Sequence, residues 1–144
     1  MTRVMTADER EGFLAEPRVG VLSVAAEDGR APLAMPVWYL YEPGGEIRFI
    51  TGGSSRKMRL VRAAGRVTLT VQDEAPPYRY VTVEGDVAGY EEPADPADRR
   101  AVAERYLGVE GGAAYLASTA HTALETVLVR VRPTRWLSRG ESMG

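Results

Sequence analysis

The chain has 144 residues, 44% of them hydrophobic and 26% charged, and its 18 basic and 20 acidic side chains leave a formal net charge of -2. The absence of cysteine excludes disulfides, thiolate metal sites and thiol nucleophiles, and one histidine, His121, is too little for a Ser/His/Asp triad or a multi-histidine metal centre within one chain. The mildly acidic balance points away from nucleic acid, no apolar run reaches the about 18 residues of a membrane span, and the first residues lack a signal peptide's apolar stretch, so the expectation is a cytoplasmic protein.

A chain of this size buries about 68% of the surface its unfolded form exposes, enough for one core without staples. No repeat, low-complexity segment or long linker interrupts it, so residues 1–144 read as one domain. Thr6-Ala7-Asp8-Glu9 is a capping-box pattern ahead of Phe13, Leu14 and Pro17, which predicts a helix over about 7–16. The period then changes to two. Residues 18–26 (RVGVLSVAA) read as a strand, 27–30 as a tight turn, and 31–41 as a second strand interrupted by Pro36. A proline inside a strand belongs at an edge or a bulge.

After a Pro43-Gly44-Gly45 turn, residues 46–52 (EIRFITG) form a strand with Ile47, Phe49 and Thr51 on one face. Ser54 is then the expected cap of a helix over 55–64, with Met58, Leu60 and Val61 facing the core and Gly65 stopping it. Two strands follow, over 66–73 and 78–91, joined across Glu74-Ala75-Pro76-Pro77, with Gly85 marking a bulge. Asp95-Pro96 opens a helix to about Leu107, a weaker helix covers 112–121, and residues 125–137 (ETVLVRVRPTRWL) alternate as a closing strand. Six strands with helices between them fit a mainly β antiparallel barrel with flanking α-helices better than a doubly wound sheet.

Three clusters carry chemistry. Residues 48–62 (RFITGGSSRKMRLVR) place two glycines and two serines at a strand end and then Arg56 and Lys57 in the opening turn of a helix. The positive end of the helix macrodipole disfavours cations there by a few tenths to about 1 kcal/mol each, unless an anion sits among them. A phosphate would supply it, held by backbone N–H groups, Ser54, Ser55, Arg56 and Lys57; the alternative reading is a solvated basic face. The G-x-x-x-x-G-K-[ST] spacing of a P-loop is absent. Met35-Pro36-Val37-Trp38 offers unpaired backbone and a flat apolar surface for a planar ring, or Trp38 is simply core. Tyr78 and Arg79 in Pro76-Pro77-Tyr78-Arg79-Tyr80 make an aromatic-cationic cluster, which suits either an interface or a solvent face. No metal-binding or catalytic constellation emerges, and His121 reads as a capping or surface residue.

Residues 49–57 (FITGGSSRK) resemble the FMN-phosphate motif of the pyridoxamine 5'-phosphate oxidases, an F-F-T-x-x-x-S-R-K pattern, and Val81 to Gly85 (VTVEG) is similar to a later strand of that family. The resemblance spans about residues 10–137 and implies a six-stranded antiparallel split β-barrel. The clusters around Pro36, Ser55 and Tyr78 look most like the short flavin/deazaflavin oxidoreductases of that superfamily. By that likeness the protein is an oxidoreductase and a homodimer that binds FMN or the deazaflavin coenzyme F-420 at the subunit interface, with the deazaflavin the first choice. Ser55, Arg56 and Lys57 would hold the phosphate beside Thr51, Met35 to Trp38 would line the ring, and Tyr78 and Arg79 would reach in from the second subunit. The family's basic contact is replaced by Leu33-Ala34-Met35-Pro36, and its C-terminal arginine and histidine pair is missing. The resemblance therefore implies a cofactor and a small-molecule substrate other than pyridoxamine phosphate. The competing class is a non-catalytic flavin, heme or tetrapyrrole carrier or sensor on the same barrel.

Overall fold

Alternation in the strands decides what faces inward, and the register shows it directly. The computed structural model describes residues 2–141. Its elements run β1 (Thr2–Arg3), α1 (Ala7–Ala15), β2 (Gly20–Val24), β3 (Leu33–Val37), β4 (Ile47–Gly52), α2 (Arg56–Ala64), β5 (Arg66–Gln72), β6 (Tyr80–Glu91), α3 (Pro96–Ser118), the 3₁₀ helix η1 (Ala120–Glu125) and β7 (Thr126–Glu141). Six antiparallel strands, β2 to β7, make one curled half-barrel sheet, and the two-residue β1 adds to the end of β7. Across it, Met35, Leu22, Leu69, Val83 and Trp136 pair into a row that faces the core. One residue along, Pro36, Val21, Thr70, Thr82 and Leu137 form a row on the opposite face, as a period of two requires.

The sheet runs β3-β2-β5-β6-β7, with β4 on the far edge of β7. Its two ends approach each other where Leu40 and Arg48 exchange backbone hydrogen bonds of 2.8 and 3.0 Å, so the barrel closes at a single bridge and is otherwise split. Residues 38–41, expected as part of the strand, leave the ladder because the backbone of Tyr39 bonds to α3 instead. Pro36 lies in β3, an end strand, where its missing N–H is tolerated. The bulge at Gly85 is present, and a Cβ there would lie 2.8 Å from the Arg132 carbonyl oxygen. Phe49, Met58, Val81, Val83 and Val129 are buried in the core, as the period of each element predicts.

Helix ends follow their caps. Thr6 and Glu9 form the reciprocal capping box of α1. The cap of α2 corrects the expectation: Ser55, not Ser54, is the N-cap, its Oγ accepting from the Met58 N–H at 3.1 Å while donating to the Gly52 carbonyl at 2.9 Å. The reason is chain length. The strand runs on through Gly52, and Gly53 and Ser54 make the turn, so the helix begins at Arg56. Gly65 closes α2 in the left-handed region at φ 69°. Asp95 and Pro96 start α3 as expected, and the helix breaks at Gly108, where φ 76° and ψ 176° are not helical. The second segment therefore ends at Ser118, and His121 falls in η1, exposed. No helix among the described residues is long and apolar enough to cross a membrane.

Candidate functional site

The end of β4, the start of α2, the exit of β3 and both segments of α3 enclose a cleft of about 490 Å³. Five of the sequence-predicted site residues line it together: Pro36, Val37, Trp38, Thr51 and Lys57. Thr51 reaches it because the alternation of β4 ends there, and it is one of two buried polar residues among those described, at 9% exposure. Lys57 enters from the first turn of α2, and burial alone pulls its ammonium pKa below the ordinary lysine value. Among the described residues, no Asp or Glu lines the cleft.

The neighbouring cation behaves differently. Arg56 turns away to Glu27, with Nη2 to Oε1 at 3.1 Å, and ties α2 to the β2–β3 turn. Glu27 is held below the usual carboxylate range first by a hydrogen bond from its own backbone N–H and then by Arg56. So of the two cations that begin α2 against the macrodipole, Arg56 finds its anion within the chain and Lys57 faces the cleft. The Ser55 hydroxyl is engaged in the cap, and Ser54 is exposed outside the lining. Met35 packs against the core from β3.

Tyr78 and Arg79 lie apart from this cleft within the chain. Tyr78 is exposed in the turn before β6 at φ 58°, and Arg79 donates through Nε to Asp73 at 2.7 Å. Asp73 also accepts from Arg18, and although burial pushes its carboxyl up, the bonds from Arg79 and Arg18 leave it below the usual range. Arg18 and Arg79 both sit over the Phe13 ring, at 3.6 and 5.2 Å.

Several cleft residues come from α3, which the sequence reading left out of the site. Tyr106 stacks on Trp38 with centroids 5.1 Å apart and planes within 8°, and Tyr115 meets the same indole at 5.3 Å and 51°. Two tyrosines thus pack on the Trp38 ring at the cleft wall. Tyr106 is pinned in turn: its hydroxyl accepts from the Tyr39 N–H at 3.1 Å and donates to the Arg18 carbonyl at 2.8 Å. Arg105 anchors the same helix to the carbonyls of Ala15 and Glu16 at 2.8 and 3.0 Å, a cation at the C-terminal end of α1. Arg99 also lines the cleft, with Val102, Leu116 and three threonines. The available signal was helical spacing, since Arg99, Val102 and Tyr106 recur at intervals of three and four on one face of α3.

The polar inventory of the cleft is rich in donors. Thr119, Thr122 and Thr126 return their hydroxyl protons to the carbonyls of Tyr115, Thr119 and Ala123 at 2.9, 3.1 and 2.7 Å. That leaves Thr51, Lys57, Arg99 and the Tyr115 hydroxyl to offer protons to a ligand, with Trp38, Val37 and Pro36 as the apolar wall. Such a cleft takes a planar apolar body with an anionic group. His121 is not among its lining residues.

The family model described as pyridoxamine 5'-phosphate oxidase matches residues 6–140. Among solved structures, an F-420 reductase is 26% identical with a TM-score of 0.63, 88% of this chain covering 94% of that one. A conserved hypothetical protein from Mycobacterium tuberculosis is 26% identical with a TM-score of 0.69, the shares being 93% and 84%. A FAD-binding protein from Mesorhizobium loti is similar over 99% of both chains with a TM-score of 0.67, and at 22% identity it speaks for the fold alone. No curated protein matches the chain in sequence.

Proposed function

The chain belongs to the pyridoxamine 5'-phosphate oxidase family, and from that premise we propose that it is an oxidoreductase that uses FMN or the deazaflavin coenzyme F-420, bound at a homodimer interface, to act on a small organic molecule. The observation that carries the reading is Lys57, a half-buried cation without a carboxylate in a cleft walled by Trp38 and Val37. A ligand phosphate would be held by Lys57 and Thr51, with the N-terminal backbone of α2 adding its dipole. The ring would rest against Pro36, Val37 and Trp38 at the outer edge of β3, where unpaired backbone can bond to it. The isoalloxazine-type ring, when bound, supplies the hydride or electron chemistry. The chain's own part is to bind, to orient and to keep water from the apolar wall.

The dimer in this reading is supported by the outer row of the sheet. Pro36, Val21, Thr70, Thr82 and Leu137 carry no charge, and Val21 and Leu137 are 42% and 53% exposed. Pro36 belongs both to this row and to the cleft, so a second copy seated on the row would border the site. Leu137→Asp is expected to convert a dimer to a monomer in sedimentation equilibrium.

The test of the cofactor is direct titration of the purified protein with FMN and with the reduced deazaflavin, followed by bleaching of a quinone or enone. Lys57→Ala is expected to weaken cofactor binding at least tenfold, about 1.4 kcal/mol. Binding of neither cofactor by the wild-type protein refutes the reading, and tight binding without turnover of any acceptor assigns the protein to storage instead.

A further inference from the structure

The cleft holds a second cation from an element 40 residues away from the α2 motif. Arg99 stands one turn into α3, where its backbone N–H donates to the Asp95 carbonyl at 3.0 Å. Its guanidinium makes one side-chain hydrogen bond, Nη2 to the hydroxyl oxygen of Thr119 at 3.2 Å. That acceptor is neutral, and it is itself fixed by donating to the Tyr115 carbonyl. Arg18, Arg48, Arg56, Arg62, Arg79 and Arg130 each pair with a carboxylate, whereas the cleft that Arg99 lines contains none.

Arginine carries five N–H donors in a fixed fork and lysine three. With the three threonine protons already spent on backbone carbonyls, the cleft offers two positive charges and a surplus of donors to whatever enters it. Half-buried cations without an anion are costly, and the cost is removed by a ligand of matching charge. A phosphate monoester carries about -1.5 to -2 at neutral pH. A phosphodiester carries a single negative charge, so in a deazaflavin the carboxylates of the acidic tail would have to supply the second.

We propose that Arg99 and Lys57 together form a two-cation cradle for a phosphate monoester dianion, which makes Arg99 an anion-binding residue of the site. The inference rests on the cofactor reading above and sharpens it. Arg99 recognises charge with direction: Thr119 holds one edge of its guanidinium, which leaves the other edge for bidentate contact with phosphate oxygens.

The experiment compares FMN with riboflavin, which share the ring and differ by the phosphate, in equilibrium titrations monitored by flavin fluorescence. The wild-type protein is expected to prefer FMN over riboflavin by at least tenfold. Arg99→Gln is expected to lose at least tenfold in FMN affinity while riboflavin affinity moves less than twofold. Arg99→Lys, which keeps the charge and gives up the fork, should stay within about fivefold of wild type, and circular dichroism with thermal unfolding reports whether each variant is folded. Equal losses for FMN and riboflavin in Arg99→Gln make Arg99 a structural residue and overturn the proposal. So does an unchanged FMN affinity in Arg99→Gln beside a tenfold loss in Lys57→Ala, an outcome that leaves the cofactor reading standing. A wild-type preference for the deazaflavin overturns the monoester assignment alone, and binding of no flavin or deazaflavin overturns both.

Discussion

Removing one oxygen from Tyr106 measures how firmly α3 is fastened to the cleft wall. In Tyr106→Phe the ring that stacks on Trp38 at 5.1 Å is retained, and only the hydroxyl is lost. That hydroxyl is the acceptor for the backbone N–H of Tyr39, a residue with 0% exposure, and the donor to the Arg18 carbonyl. A buried N–H without a partner costs about 1–3 kcal/mol. For a chain of this length about 1 kcal/mol lowers Tm by about 3–4 °C, so Tyr106→Phe is expected to lose about 3–12 °C. In urea the midpoint should fall with an unchanged m-value, since the surface exposed on unfolding is the same. Tyr106→Ala is expected to lose more, because the stacked pair contributes about 0.5–1.5 kcal/mol beyond its buried area and a cavity opens beside Trp38. The flavin titration should separate the two variants, with Tyr106→Phe near wild type and Tyr106→Ala weakened through a loosened Trp38. A loss under about 0.5 kcal/mol in Tyr106→Phe would falsify the reasoning, since it means that the Tyr39 N–H finds another partner.

Three further outcomes follow from the same geometry. Ser55→Ala is expected to cost about 1 kcal/mol through the lost cap of α2, whereas Ser54→Ala stays within about 0.5 kcal/mol, and the reverse order in chemical denaturation refutes the cap assignment. Gly85→Ala is expected to cost about 1–3 kcal/mol, because the added carbon meets the Val131 side chain and the Arg132 carbonyl at the bulge; unchanged unfolding would show that the bulge relaxes freely. Burial lowers the Lys57 pKa, so between that value and 10.5 the unfolded chain binds more protons and stability rises with pH. An anion in the cleft favours the charged ammonium, so binding in that window takes up protons and affinity falls as pH rises through the lowered pKa. Calorimetry in buffers of different ionisation enthalpy reads the uptake, and a binding enthalpy independent of buffer there rejects it.

How much was legible in advance depended on the range of the interaction. The capping box at Thr6 and Glu9, the Asp95-Pro96 start, the stop at Gly65 and the break after Leu107 are local events between residues a few positions apart, and each stands where the pattern placed it. The alternation of β4 likewise marked Ile47, Phe49 and Thr51 as inward, because side-chain direction is set by the backbone period alone. Spacing alone does not separate Ser54 from Ser55 as the cap, because nothing local says that the strand runs on through Gly52 and that Gly53 and Ser54 make the turn. Ser55, Arg56, Lys57 and Thr51 were singled out as one motif, yet their surroundings divide them: Arg56 meets Glu27 from a turn 29 residues earlier, Ser55 spends its hydroxyl on the helix, and Lys57 and Thr51 face the cleft.

The amino-acid sequence by itself determined the strand count, the antiparallel order of short connections, the poverty of catalytic side chains and the single lysine at a helix start. Only the tertiary structure decided that α3 lines the cleft, packs Tyr106 and Tyr115 on Trp38, and sets Arg99 in the same cleft as Lys57. The physical reason is that periodicity and capping are written in neighbouring residues. Which cations are neutralised, and which remain available to a ligand, depends on carboxylates brought near by packing between elements far apart in the chain.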